Sequence, residues 1–159
     1  MKYILILLLV ACGQQYQPAK KLIWKPSDPI FDELKWKFEW DFGLSAAGIA
    51  INLVPLGDNN VGECHYYNKY PHLNYILIHT DFWNKASDEE REQVVYHELV
   101  HCVGLVHYHI DTKIHMNGTD CPVSLMTTTQ FNHKQMEKCY IPKREYYINQ
   151  ALSLQPGYL

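Results

Sequence analysis

Apolar positions along this chain change period several times, and each change marks an element. Tyr3 to Val10 is one unbroken apolar run behind Lys2, too short to span a bilayer as a mature helix and shaped like an export signal. Residues 13–27 are polar at first and contain Pro18 and Pro26, which suits a tether with a short edge strand around Leu22 to Trp24. In SDPIFDELKWKFEWDFG, residues 27–43, a capping residue and an early proline open a breaker-free stretch that ends at Gly43, predicting a helix. Leu34, Trp36, Phe38, Trp40 and Phe42 alternate with charged residues at period two, which is the competing strand pattern.

Further along, AGIAINLVP reads as a strand buried on both faces, LGDNN as a turn, and VGECHYY and LNYILIHT as two more short strands. A long helix follows in NKASDEEREQVVYHELVHCVGL. Ser87 and Glu90 form a capping box, acidic residues fill the first turn, and Gly104 stands where helices end in a left-handed residue. Residues 106–129 read as irregular. TTQFNHKQMEKCY predicts another helix, stopped by Pro142, and KREYYINQAL a last short one.

A chain of 159 residues holds one domain with a core of its own. The division is residues 1–11 as export signal, 12–27 as tether and 28–159 as the single folded domain. With 14 basic against 17 acidic residues, the net charge of −3 provides no basic field, so nucleic acid is excluded as a partner. Export permits disulfides among Cys64, Cys102, Cys121 and Cys139, in any of three full pairings, with a buried free thiol at Cys102 an equal alternative.

The chemistry concentrates in HELVHCVGLVH, residues 97–107. Chance produces this arrangement of His, Glu and Gly in such a chain roughly once in ten thousand. On a helix His97 and His101 lie four residues apart on one face and can converge on one cation. Glu98 follows about 100° around the helix, beside the cation and not on it, where a carboxylate acts as general base toward water. Gly104 tolerates positive φ, so the chain can turn back and offer His107 as third ligand. Three neutral histidines leave one tetrahedral position open, the pattern of a single catalytic Zn²⁺.

The extended motif resembles the signature of the metzincin clan of zinc metallopeptidases, whose second mark is a methionine-containing turn. CPVSLMTT supplies the candidate, Met126, preceded by Ser124 and Leu125. The resemblance implies that Met126 forms an apolar floor beneath the zinc histidines without ligating the ion. It also implies an α+β zincin fold: a small mixed twisted sheet with an edge strand over the cleft, a long active-site helix and a C-terminal helix. VGECHYY and LNYILIHT fill the places of the edge strand and its neighbour, with a peptide or protein substrate adding itself to the edge. Tyr108, after the expected third ligand, matches none of the astacin-like, reprolysin-like, serralysin-like or matrix metalloproteinase branches, so no branch is assigned.

Leu9-Val10-Ala11-Cys12 resembles the lipobox of bacterial lipoproteins, which implies lipidation of Cys12 and anchoring at the bacterial cell envelope, on a membrane and not across it. The combined expectation is a lipid-anchored zinc endopeptidase with Glu98 as base. The alternative is an anchored zinc-binding or interaction protein without activity, against which Glu98 speaks, since binding alone needs no base. Tyr108, His109, His115 and Tyr140 are candidates for oxyanion stabilisation, each more often a surface or packing residue. His65, His72, His79 and His133 have no ligand spacing and read as structural.

Overall fold

The computed structural model describes residues 28–57 and 60–154. The expectations for the export signal, Cys12, the tether and a strand at Leu22 to Trp24 lie outside the described residues.

Helix wins over strand in the first element. Asp28 Oδ1 accepts from the Ile30 amide at 3.1 Å, α1 runs Pro29–Phe42, and Gly43 closes it at φ 64° with its amide donating to Glu39 O. The period-two row divides on a helix into two faces. Leu34, Phe38 and Phe42 stand four apart and join Phe31 in the core, whereas Trp36 and Trp40 are 63% and 79% exposed.

β1 (Ala50–Val54), β2 (Gly62–His65) and β3 (Tyr75–His79) form one sheet in the order β1-β3-β2. β1 runs parallel to the central β3, with Ile51 opposite Ile76, and β2 runs antiparallel, with Cys64 opposite Ile76. The expectation that β1 is buried on both faces does not hold: as an edge strand it buries only Ile51. Ile51, Ile76 and Ile78 belong to the same core as Phe31, Phe38, Tyr96 and Leu99 of the helices.

After a short α2 (Thr80–Lys85), α3 (Asp88–Cys102) carries the predicted capping box. Glu90 N donates to Ser87 Oγ at 3.3 Å, and Ser87 N donates to Glu90 Oε2 at 2.8 Å. Gly104 at φ 77° ends the helix, with its own amide donating to His101 O and that of Leu105 to Val100 O.

The segment expected to be irregular contains a hairpin, β4 (Lys113–Met116) and β5 (Thr119–Pro122). Asn117 and Gly118 turn it at φ 52° and 72°, the paired positive values that favour Asn-Gly between antiparallel strands. Pro142 does not stop the chain either. α4 (His133–Gln135), a π turn (Met136–Tyr140), a 3₁₀ turn (Ile141–Lys143) and α5 (Arg144–Ser153) follow one another directly, with Pro142 inside the 3₁₀ turn.

Two disulfides resolve the open pairing: Cys64–Cys102 joins β2 to the end of α3, and Cys121–Cys139 joins β5 to the π turn. Cys102 is therefore not a free thiol. Arg144 of α5 pairs with Asp41 of α1 and Glu92 of α3, while Tyr140 and Lys37 also donate to Glu92 and Tyr96 donates to Asp41. The whole is a mixed α+β domain with small sheets, a long central helix and a C-terminal helix, compatible with a small zincin-like fold. Among the described residues no helix is long and apolar enough to cross a membrane.

Candidate metal centre

The helical spacing of His97 and His101 places their Nε2 atoms 3.2 Å apart. Each ring is fixed from behind by a backbone carbonyl: His97 Nδ1 lies 3.0 Å from Leu125 O, and His101 Nδ1 lies 2.7 Å from Val106 O. A carbonyl can only accept, so Nδ1 carries the proton in both rings and each Nε2 presents a lone pair. Burial, with His101 nearby, lowers the pKa of His97 to about 3, and burial also lowers that of His101, so both rings are neutral near pH 7.

The third imidazole is His109. Its Nε2 lies 3.2 Å from that of His97 and 3.2 Å from that of His101, completing a triangle of nitrogens. His107, expected in this place, stands apart at the cleft rim with its ring 4.5 Å from that of Tyr66. Backbone anchoring explains the exchange. Val106 O is already committed to His101, and Ile110 N donates to Met126 O at 2.6 Å. Asp111 Oδ1 meanwhile accepts from Thr127 Oγ1, Thr128 N and Thr128 Oγ1 at 3.0, 2.7 and 2.8 Å. Residues 110 and 111 are thus pinned to the turn that also holds His97, which carries His109 onto the two helix histidines. The His-x-His pair in the sequence was the available sign, since it offers a second imidazole two residues beyond the expected one.

The triangle fits a cation. Nitrogens bound at about 2.0–2.1 Å around a tetrahedral ion stand roughly 3.3 Å apart, close to the spacing here. Facing lone pairs repel one another unless a positive charge lies between them, so the donor set has the chemistry as well as the dimensions of a metal site.

Glu98 is 7% exposed and lines the same cleft. Burial raises its pKa to about 8, a backbone bond to Cys64 opposes the rise, and the Glu63 charge adds to it. Gly62 makes room for this carboxylate: a Cβ there would stand 2.9 Å from Glu98 Cγ and Oε1. Gly104 combines positive φ with a close approach, because a Cβ would meet Tyr66 Oη at 2.8 Å. The Cys64–Cys102 bridge ties the Glu98-facing strand to the helix that carries Glu98.

Met126 is fully buried, its amide donates to Ser124 Oγ at 3.0 Å, and the preceding carbonyl is the one that holds His97. The cleft has a volume of about 760 Å³, walled by β2 on one side, α3 at its base and residues 127–130 on the other. Of the four oxyanion candidates only His109 lines it. Tyr108 is exposed, His115 pairs with Asp120 on the hairpin, and Tyr140 donates to Glu92. Among the histidines read as structural, His65 lines the cleft beside Glu63, His79 caps α2 and His133 faces Glu137.

Residues 62–121 match the model of a family described as "Putative phage metallopeptidase". That span is less than half of the chain, and it contains the three clustered histidines, Glu98 and Gly104. It supports a metal-dependent peptidase and stops short of Met126. No curated protein and no solved structure matches the chain.

Proposed function

We propose that this protein is a zinc-dependent endopeptidase in which His97, His101 and His109 hold the ion and Glu98 is the general base. The observation that carries this reading is the triangle of three Nε2 atoms at 3.2 Å with a buried carboxylate beside it in an open cleft. When bound, such an ion polarises a carbonyl and acidifies water. The chain's own residues do the rest. Leu125 O and Val106 O hold the rings of His97 and His101 in the ligating tautomer. Glu98, in its carboxylate form, accepts a proton from the attacking water and returns it to the departing amine. Cys64 N–H steadies that carboxylate, and Gly62 leaves it space.

An extended peptide laid against β2 extends the sheet at its free edge, which brings a scissile bond past Glu98. His107 and Tyr66 stand at the rim, where they meet substrate. The metzincin resemblance extends to the Met126 turn behind His97, with the difference that the third histidine falls two positions later. Lipidation at Cys12 belongs to the same proposal and places the enzyme on the surface of a bacterial envelope membrane, with peptide or protein substrates reaching it there.

Metal content and cleavage of an unbiased peptide library test this, comparing the parent with Glu98→Ala. The expected result is one zinc per chain in both proteins and cleavage by the parent alone, abolished by chelation and restored by zinc. Zinc in both with cleavage in neither favours the anchored binding protein.

A further inference from the structure

α1 carries apolar groups on two opposite faces. Phe31, Leu34, Phe38 and Phe42 face the core, and Trp36 and Trp40, about 160° around the helix from Phe38, face solvent. These two indoles are the most exposed large apolar side chains among the described residues, and they stack with ring centroids 6.3 Å apart. Exposed apolar side chains scattered singly are ordinary, whereas a stacked pair of indoles in water marks a contact surface.

Size and charge narrow the partner. A standard protein interface takes about 800 Å² from each side, roughly twice what two indoles supply, and the exposed carboxylates of Asp32 and Glu33 border the pair. Both lysines of α1 are committed, Lys35 to Asp32 and Lys37 to Glu92, so the face offers no free cation to an acidic partner. Indoles suit the headgroup level of a bilayer, where the ring is shielded and its N–H stays hydrogen-bonded. The preceding chain brings such a surface close. Residues 13–27 separate Cys12 from Asp28, a stretch that reaches at most about 55 Å when fully extended. Trp36 and Trp40 follow about 10 and 16 Å along the helix axis from Pro29. Anchoring at Cys12 thus makes the contact intramolecular, and a contact too weak to hold a free protein becomes sufficient.

α3 lies between this face and the cleft. Tyr96 meets Phe38 and Phe42 of α1 edge to face, whereas Glu98 and His101 stand roughly 140–160° around α3 from Tyr96 and line the cleft. We propose that Trp36 and Trp40 seat α1 on the lipid surface that holds Cys12, aiming the cleft away from the bilayer and toward substrates in water. This rests on the Cys12 anchoring of the reading above, and its readouts need neither zinc nor cleavage.

The test uses the full lipidated chain in a Trp24→Phe background, in vesicles of phosphatidylethanolamine and phosphatidylglycerol with or without brominated acyl chains. Brominated lipid is expected to quench about two-thirds of the tryptophan emission, because two of the three remaining indoles lie at the bilayer, and Trp36→Ala/Trp40→Ala should abolish that loss. A fluorophore on Thr129→Cys, at the exposed cleft wall, should remain as open to aqueous iodide with vesicles as without them. Undiminished emission in brominated vesicles, or a label shielded by lipid, overturns the proposal. So does a parent that runs as a dimer where the double variant runs as a monomer, which assigns the face to a second copy. If mass spectrometry finds Cys12 without lipid, the anchoring reading fails, and the Cys12 thiol is coupled instead to a maleimide-bearing lipid. The same loss of emission then upholds the docking face, and no loss overturns it.

Discussion

At the scale of single residues, the difference between His107 and His109 is the sharpest statement the structure makes. Both follow Gly104 and both line the cleft, but only His109 joins His97 and His101. His109→Ala should therefore lower zinc affinity by about 100-fold or more, the loss expected when a tightly held site gives up a direct ligand. His107→Ala should keep one zinc per chain, and competition titration with a chelator separates the two. Glu98 gives a second prediction, for the metal-free protein. Its folded pKa is raised from the ordinary 4.5 to about 8, so the stability it contributes is fully present below about 4.5 and is lost as pH rises through 8. Urea denaturation at pH 5 and pH 8 should show Glu98→Gln gaining stability relative to the parent at the higher pH, and a gap that does not change with pH would contradict the burial argument. The first two histidines, Glu98 and Gly104 were legible in the sequence because all four follow from helical spacing and one turn. The third histidine was not, because its position depends on Asp111 and Ile110 binding to residues 126–128, contacts between segments that no local pattern encodes.

Among the elements, α3 was the most legible, since capping box, acidic first turn and terminal glycine all point to the same boundaries. The β4–β5 hairpin was missed although Asn117-Gly118 is a strong turn signal. The strands beside it have four residues each, β4 buries none of them and β5 only Cys121 and Pro122, so apolar alternation is too weak to announce them. α1 shows the reverse case: its period-two row looks like a strand until positions 34, 38 and 42 are seen to share a helical face. The functional consequence at this scale lies in β2. Cys64–Cys102 fastens this edge strand to the end of α3, closing a loop with a sequence separation of 38. Replacing both cysteines by serine should cost about 3 kcal/mol of stability, measured by denaturant unfolding, and should lower cleavage by loosening the strand that faces Glu98. Full activity and full stability in that variant would show that β2 is held by the sheet alone.

For the molecule as a whole, the helices are locked by an ionic group that the sequence did not suggest, because its members stand more than forty residues apart. Arg144 of α5 bridges Asp41 of α1 and Glu92 of α3, and Glu92 is almost fully buried. Arg144→Met should cost about 3 kcal/mol by leaving that carboxylate short of its partner, again read by denaturant unfolding, without changing the zinc stoichiometry. The fold thus keeps this ionic group away from the cleft, which collects the clustered imidazoles of His97, His101 and His109 and the raised carboxyl of Glu98. The measurement that tests this account most directly is X-ray absorption at the zinc edge on the purified, zinc-loaded protein. The account predicts one zinc per chain bound by three imidazole nitrogens at about 2.0–2.1 Å with a light-atom ligand from solvent completing the shell. A chain that retains no zinc at neutral pH, or a shell that contains sulfur or fewer than three imidazoles, would contradict it.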